Sequence, residues 1–390
     1  MSQDSPATVA NIDLATLTDV VRQDQRSPAF ELREWTVAPL GHHKIIDTTG
    51  GLYCVSGRGY DERGERPWSV VLKILNSDNV SDQRHWAYWK REVLAYQSGL
   101  LASLPAPLAA PRCYGVREVE GGAWIWMEHI VEAGERRWGL AEYALAAQHL
   151  GAFGGAYLTG TPLPDVPWLS DGFFASAFAP DDWWAPHMDP SQPGNTWENP
   201  MTQRWYPEPA KGWTIGLWSE VQRFTAAMDR LPQVFSHLDA HRRNLMLRAG
   251  ADGQPETVAI DWAFSGRGPV GADAAALVFT SLFYFEREPA TAAELERAVL
   301  DGYRAGLRSA GWEVDERLLR LGYTAQVAMS SAAILPGWTG FMLTEPVVGE
   351  TTRQMGRSPD EIASGWRTLW EHAQERAEEA RILMRRLGLD

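Results

Sequence analysis

The stretch that decides the fold runs from Val234 to Trp262 and reads VFSHLDAHRRNLMLRAGADGQPETVAIDW. Two short apolar runs flank a polar turn rich in Gly and Asp, which is typical of a β-hairpin. Asp239 stands just before the first run, Asn244 follows it by five residues, and Asp261 ends the second run. The hairpin therefore predicts that these three side chains share one site.

Two kinds of chemistry fit this set of residues. Phosphoryl transfer from a Mg-nucleotide needs one Asp to accept the proton of the substrate hydroxyl, while an Asn and a second Asp hold the metal. Alternatively, His237, Asp239 and His241 at alternate positions are zinc ligands of a hydrolase, but no second His/Cys cluster follows to complete the three or four ligands that zinc takes. An Asp embedded in apolar strands is costly without a task or a partner, which favours a functional role for both carboxylates.

The motif HLDAHRRN followed by IDW resembles the catalytic loop and metal motif of the aminoglycoside phosphotransferase and choline kinase group. Leu238 stands where that group usually has Gly, and the resemblance extends from about Ile45 to Val278. It implies an α+β fold with two protein-kinase-like lobes: an N-terminal antiparallel sheet with one helix, then a mainly helical C-terminal lobe. It also implies that Asp239 is the catalytic base and that Asn244 and Asp261 are Mg²⁺ ligands.

A lysine and a glutamate of the first lobe complete the expected nucleotide site. Lys73 is the one charge in the apolar run WSVVLKIL, and a buried lysine needs a partner or an anion. A helix predicted from Ser81 to Leu100 places Glu92 on its packed face. In kinase-like folds a strand Lys paired with a helix Glu holds the nucleotide phosphates. Lys73, fixed by Glu92, is therefore predicted to bind the cofactor, which is ATP with GTP as the alternative.

Two backbone segments are predicted to contact the same nucleotide. The turn from Asp47 to Gly51 contains paired glycines that let N–H groups approach a phosphate, although a plain hairpin turn is the alternative. The expected phosphate-covering residues are Thr49, Gly50 and Gly51. The resemblance places the adenine-binding hinge at Glu128 to Ile130, where Glu128 and Ile130 act through main-chain groups.

The segment 159–212 has many prolines, little periodicity and a cluster of tryptophans. A loop-rich stretch of this length is usually functional or disordered, and its aromatic content argues against disorder. We interpret it as an insertion that walls the acceptor pocket, because Trp faces suit a sugar, an aromatic ring or a cationic amine. Irregular surface packing or a dimer interface are the alternatives. The residues expected to contact the acceptor are Trp183, Trp184, Trp197 and Trp205, with Asp181, Asp182, Asp189 and Glu198 as charges for an amine.

Composition limits the class of protein and its partners. A chain of 390 residues predicts two lobes, assigned here to 1–130 and 131–390. The net charge of −14 argues against a nucleic-acid partner and favours a cationic substrate, or else serves only solubility. No apolar run is long enough to cross a membrane and the N-terminus lacks a signal pattern, so a cytoplasmic monomer or homodimer is expected. Cys54 and Cys113 lie in apolar contexts and are predicted to be buried free thiols.

The function predicted is transfer of a γ-phosphate to a hydroxyl of a small acceptor, cationic or sugar-containing, such as an aminoglycoside. A non-catalytic, pseudokinase-like binding module using the Trp-rich pocket is the alternative, and a regulatory dimer with a Trp-rich interface is a third interpretation. The sequence leaves open a macrolide, a choline-like amine, an amino alcohol or a sugar as acceptor.

Overall fold

The first lobe is built on an antiparallel sheet. The structure, a computed structural model, describes residues 12–41, 49–78, 80–132, 137–250, 253–313 and 315–390. The strands of this lobe and its connector are β1 (Glu31–Pro39), β2 (Thr49–Asp61), β3 (Gly64–Asn76), β4 (Leu108–Ala109), β5 (Cys113–Val119) and β6 (Gly122–Glu128). Five of them form the sheet in the order β1-β2-β3-β6-β5, and β4 joins a sheet of the second lobe.

Helices cover both faces of this sheet. Helix α1 (Leu14–Gln25) begins at Asp13, whose carboxylate accepts the N–H groups of Ala15 and Thr16. It packs against the face that carries Val70 and Leu72. Helix α2 (Arg91–Gln97) covers the other face. Successive side chains of a strand point to opposite sides of the sheet, so each face has an apolar surface for a helix to cover. The predicted α+β architecture of this lobe is confirmed, with α1 as a second helix.

The helix predicted from Ser81 to Leu100 is wrong over its first ten residues. It begins at Arg91, and a 3₁₀ turn follows over Leu100–Ser103. The preceding loop instead bonds to the insertion: the Trp86 N–H donates to Ser176 Oγ at 3.2 Å, and the Trp86 indole N–H donates to Asp182 Oδ2 at 2.7 Å. These tertiary bonds take the loop out of the helical path that its periodicity favours.

The second lobe is mainly helical, as predicted. Its helices are α3 (Leu140–Leu158), α4 (Phe173–Ala177), α5 (Ala185–Met188), α6 (Pro200–Trp205), α7 (Glu208–Ser219), α8 (Val221–Asp229), α9 (Ala272–Phe283), α10 (Ala292–Ser309), α11 (Glu316–Val327), α12 (Leu335–Met342), α13 (Val348–Met355) and α14 (Pro359–Leu387). Its strands are β7 (Gln233–Ser236), β8 (Leu245–Ala249), β9 (Pro255–Ala259) and β10 (Gly266–Pro269). Within the described residues, no helix combines the length and the apolar character needed to cross a bilayer.

Glycines bring α3 and α10 into close contact. A β-carbon added to Gly151 would lie 2.1 Å from the Tyr303 carbonyl oxygen, and one added to Gly306 would lie 2.0 Å from that of Gln148. Such distances leave no room for any side chain at these positions. On the same helix as Gly151, Phe153 packs edge-on against Phe235 of β7, with ring centroids 5.8 Å apart. The glycine-packed pair therefore supports β7, the strand that leads into the loop carrying Asp239.

Cys54 and Cys113 are free thiols, as expected, but both are only partly buried. The predicted burial is therefore only partial for both residues, which lie on β2 and β5 at partly buried positions. Burial still raises the pKa of each thiol, so neither is activated as a thiolate.

A buried ion cluster joins α10, α11 and α14. Glu296 accepts from Arg320 at 2.6 Å and from His372 at 2.8 Å, and Arg376 lies 3.5 Å away. Burial opposes its ionisation, but these three partners outweigh that effect and lower the pKa of Glu296 to about 2. The cluster therefore stabilises the fold only while Glu296 is ionised.

We expect Glu296→Gln to destabilise the protein at neutral pH and to lose that effect in acid. The unfolded-state pKa of 4.5 lies above the folded value, so the contribution is complete above pH 4.5 and disappears as the pH falls through about 2. A shift of this size corresponds to about 3 kcal/mol. Urea unfolding of the wild type and of Glu296→Gln at pH 7, 4 and 3 measures the difference in their free energies of unfolding. A difference that stayed constant across these pH values would contradict the assignment.

Candidate active site

The predicted hairpin is present. Strands β8 and β9 pair in antiparallel register, with Leu245 opposite Ala259 and Leu247 opposite Thr257. Asp239 lies in the loop that precedes β8, and Asp261 lies just after β9. The Ile260 N–H donates to the Asn244 carbonyl oxygen at 2.9 Å, which ties the two ends of the hairpin together. The strand pairing thus places all three polar side chains at one end of the hairpin.

Asp239 and Asn244 are in direct contact. The Asn244 side-chain N–H₂ donates to Asp239 Oδ2 at 2.9 Å and to the Asp239 carbonyl oxygen at 3.1 Å. His241 Nε2 lies 3.6 Å from the same carboxylate oxygen, and its Nδ1 accepts the Arg243 N–H. Because Nδ1 accepts, the ring carries a proton on Nε2, the nitrogen that faces Asp239. The carboxylate is therefore held in place while remaining partly exposed.

His237 links the loop that carries Asp239 to the end of β9. Its Nε2 contacts the Ile260 carbonyl oxygen at 2.9 Å, and its Nδ1 accepts the Asp239 N–H at 3.3 Å. Burial lowers the pKa of His237, so the ring is neutral and its Nε2–H donates to the carbonyl. This bridge fixes the backbone of Asp239 relative to the residue before Asp261.

Asp273 fixes the other side of the loop that carries Asp239. Its carboxylate accepts the N–H of His237 at 3.2 Å and that of Leu238 at 2.8 Å. Burial raises the pKa of Asp273 to about 6, against the effect of these bonds, so the group is still mostly ionised at pH 7. Leu238 has φ +63°, in the left-handed region that favours glycine. This conformation explains in physical terms why glycine suits the position.

Lys73 lies between two carboxylates. Its Nζ is 2.5 Å from Glu92 Oε2 and 2.8 Å from Asp261 Oδ1. The side chains of Lys73 and Glu92 are buried, whereas that of Asp261 is 43% exposed. The lysine therefore connects the sheet, helix α2 and the end of the hairpin. Of its two partners, Asp261 is the one that solvent or a ligand can reach.

Burial and charge act in opposite directions on these three groups. Burial disfavours the ammonium, but Asp261 and Glu92 raise the pKa of Lys73 above its ordinary range. Burial raises the pKa of Glu92, whereas the charge and the hydrogen bond of Lys73 outweigh burial and lower the pKa of Asp261. Asp261 is thus an ionised carboxylate at neutral pH.

Asn244 and Asp261 offer the oxygen ligands that Mg²⁺ prefers. Mg²⁺ is usually bound through one or two protein carboxylates plus waters and substrate phosphates. The amide oxygen of Asn244 is not used in the contact with Asp239, and the Asp261 carboxylate is partly exposed. The pair therefore fits such an ion. The described part of the chain contains no cluster of three or more His, Cys, Asp or Glu arranged to hold a metal.

The segment predicted as the hinge begins at the last residue of β6. Glu128 is the last residue of that strand and is bonded by Arg112 at 3.3 Å and by Arg248 of β8 at 3.0 Å. Burial opposes ionisation, but these arginines and the Arg112 N–H lower the pKa of Glu128. This clamp joins the first-lobe sheet to the hairpin of the second lobe. Ile130 lies two residues farther on, in irregular backbone with a partly buried side chain.

The predicted phosphate-covering turn falls partly outside the described residues, which resume at Thr49. Thr49, Gly50 and Gly51 begin β2, where the pairing with β3 is irregular between Thr49 and Gly51. A β-carbon at Gly50 would lie 2.6 Å from Asn76 Oδ1, so glycine permits a close approach there.

The four predicted acceptor-wall tryptophans differ in exposure. Trp183 is 53% exposed, whereas Trp184 and Trp197 are buried and Trp205 is intermediate. The Trp184 ring stacks on Trp338 at 6.4 Å, and the Trp197 ring packs against Tyr206 at 6.1 Å. Trp197 therefore offers no free face to a ligand in this conformation.

Asp182, expected to supply charge for an amine, is buried and already bonded. Its carboxylate accepts from the Trp86 indole N–H, from the Trp184 N–H at 3.1 Å and from His85 at 3.1 Å. It attaches the insertion to the loop before α2. The sequence carries no signal for this contact, because nothing around Asp182 indicates a partner about a hundred residues earlier.

Comparisons with known proteins give a family and a set of similar structures. The model of a family described as "APH: Phosphotransferase enzyme family" matches residues 65–309, more than half of the chain. No curated protein sequence matches significantly. Similar solved structures include an amicoumacin kinase in complex with AMP-PNP, Ca²⁺ and Ami, with 13% identity, a TM-score of 0.48, and coverage of 92% of this chain and 96% of that one. Another is the aminoglycoside phosphotransferase APH(3'')-Id from Streptomyces rimosus, with 19% identity, a TM-score of 0.42, and coverage of 82% and 99%. A third is a Plasmodium vivax ethanolamine kinase, with 10% identity, a TM-score of 0.44, and coverage of 96% and 89%.

Proposed function

Because the chain belongs to the phosphotransferase enzyme family, we propose that it transfers the γ-phosphate of ATP, or of GTP, to a hydroxyl of a small acceptor. The observation that carries this proposal is the contact of Lys73 with both Glu92 and Asp261, beside the Asp239–Asn244 pair. Phosphoryl transfer requires a phosphate-binding lysine, metal-binding oxygens and a base within one site.

Asp239 is the proposed catalytic base. Its carboxylate is held by Asn244, and its backbone is fixed by His237. A base positioned within hydrogen-bonding reach of the acceptor hydroxyl removes the proton as the oxygen–phosphorus bond forms. The bond from the γ-phosphorus to the bridging oxygen breaks, and the nucleoside diphosphate leaves with that oxygen.

Lys73 is the proposed ligand of the nucleotide phosphates, and Glu92 fixes its position. Lys73 is already charged and lies at the first-lobe face of Asp261, so a phosphate oxygen beside it is neutralised without a change of protonation. Asn244 and Asp261 are the proposed Mg²⁺ ligands, and the bound ion would neutralise charge on the phosphates. Main-chain groups at Thr49, Gly50 and Gly51 and at Glu128 and Ile130 are proposed to contact the phosphates and the base.

The acceptor is proposed to be a small molecule that carries a cationic or sugar group, such as an aminoglycoside. The chain's net charge of −14 favours a cation, and the exposed ring of Trp183 in the insertion offers an aromatic face. Trp184, Trp197 and Trp205 are proposed to form the packed support of that wall.

Thermal unfolding with ATP or GTP, each with and without Mg²⁺, tests the nucleotide site. Nucleotide at about a hundred times its dissociation constant stabilises the folded state by about 2.7 kcal/mol. We expect a Mg²⁺-dependent rise in Tm, followed by nucleoside diphosphate release on a panel of aminoglycoside, amino-alcohol, choline-like and sugar acceptors. No rise with either nucleotide would contradict the proposal and direct attention to a non-catalytic binding module.

A further inference from the structure

Arg91, the first residue of α2, is a buried cation in an unusual environment. Its side chain is fully buried, and its guanidinium group donates hydrogen bonds to backbone carbonyl oxygens. Nε donates to Trp168 at 3.0 Å, Nη1 to Trp86 at 2.9 Å and Ala263 at 2.7 Å, and Nη2 to His85 at 2.5 Å and Gln83 at 3.3 Å.

These carbonyl groups belong to three separate segments. Gln83 to Trp86 form the loop before α2, Trp168 belongs to the insertion, and Ala263 lies two residues after Asp261. Glu92, the next residue along α2, forms the ion pair with Lys73. One guanidinium group therefore bonds the start of α2 both to the turn of the proposed metal ligand and to the insertion.

The chemistry of this environment requires arginine. Its planar guanidinium presents five N–H donors in a fixed fork, whereas a lysine ammonium presents three on a flexible stem. Burial lowers the pKa of Arg91 to about 10, which still leaves it charged at neutral pH. The loss of the group would leave several buried carbonyl oxygens without donors, each at a cost.

We propose that Arg91 is a positioning residue that sets the distances between Lys73, Glu92 and Asp261. Through the same guanidinium group, it holds these three residues in a fixed position relative to the insertion. It touches none of the reacting groups itself and acts through α2 and through the turn after Asp261. Its kinetic role rests on the proposed phosphotransferase function, but its effect on the position of Lys73 does not.

Arg91→Lys tests the proposal, with Lys90→Ala as the matched control because Lys90 pairs at the surface with Glu118. The first readout needs no turnover. It is the rate at which a small amine-reactive reagent labels Lys73 in the absence of nucleotide, measured by peptide mass spectrometry. We expect labelling about tenfold faster in Arg91→Lys, and kcat about 100-fold lower with the acceptor KM nearly unchanged, as expected for misplacement by about 1 Å. The control should match the wild type in both.

A second variant separates positioning from simple stability. In Arg91→Ala, methylguanidinium should restore Lys73 protection and turnover in a concentration-dependent manner, whereas methylammonium should not. Wild-type labelling and kcat in Arg91→Lys would overturn the proposal, and so would a chain that unfolds in both variants without rescue by methylguanidinium. If the wild type bound no nucleotide but the labelling results held, the proposed function would fail while the positioning role stood.

Discussion

Replacement of Asp239 by Asn is expected to lower kcat by about 10²- to 10⁴-fold, because that is the contribution of a positioned general base. The amide is isosteric and keeps a contact with Asn244, so the loop held by His237 and Asp273 should retain its conformation. Acceptor-dependent release of nucleoside diphosphate measures the loss. Binding of nucleotide with Mg²⁺, read as the rise in Tm, should be nearly unchanged.

The control for this variant is Asp19→Asn, an exposed aspartate of α1 that should leave turnover unaffected. Turnover of Asp239→Asn within about tenfold of the wild type would show that another group takes the proton. In that case His241, whose Nε2 lies 3.6 Å from the carboxylate, would be the next residue to test.

Asp261→Asn is expected to remove the Mg²⁺-dependent part of nucleotide binding. The variant keeps the size of the side chain but replaces the ionised carboxylate that contacts Lys73 at 2.8 Å. The wild type should gain about 2.7 kcal/mol from Mg-nucleotide at about a hundred times its dissociation constant, and the variant should gain no more with Mg²⁺ than without it. Thermal unfolding and a direct titration with nucleotide, each with and without Mg²⁺, measure this gain in the wild type and in the variant.

Asp301→Asn is the matched control, since Asp301 pairs with Arg304 on the exposed surface of α10. An Mg²⁺-dependent rise in Tm of equal size in Asp261→Asn and the wild type would mean that the ion is held elsewhere. The assignment of Asn244 as its second ligand would then also be withdrawn.

The parts of the structure that were predictable from sequence depend on short-range patterns. The β8–β9 hairpin follows from alternation and a polar turn within thirty residues, and that pairing alone brings Asp239, Asn244 and Asp261 together. The contact between Lys73 and Glu92 was predictable because a charge in an apolar strand must find a partner.

The wrong or missed features depend on contacts between distant segments. Helical periodicity extends α2 back to Ser81, but Trp86 bonds to residues 90 and 96 positions later, and this decides where the helix begins. Arg91 lies between the charged residues Lys90 and Glu92, so its sequence context is typical of an exposed residue. Only the fold shows that carbonyl oxygens surround it. Composition likewise indicated a Trp-rich segment without showing that Trp183 is exposed and Trp197 is buried.

The contact between α3 and α10 has a consequence for how this chain can change. Any base change in a glycine codon that alters the residue introduces at least a β-carbon, and at Gly151, Gly302 and Gly306 that atom would meet a neighbouring carbonyl oxygen at 2.0 to 2.1 Å. Only synonymous changes at these three codons leave the contact between the two helices unaltered. Substitutions that preserve the fold are therefore expected at positions other than these three glycines, which keep the helices close beneath the strand that leads to Asp239.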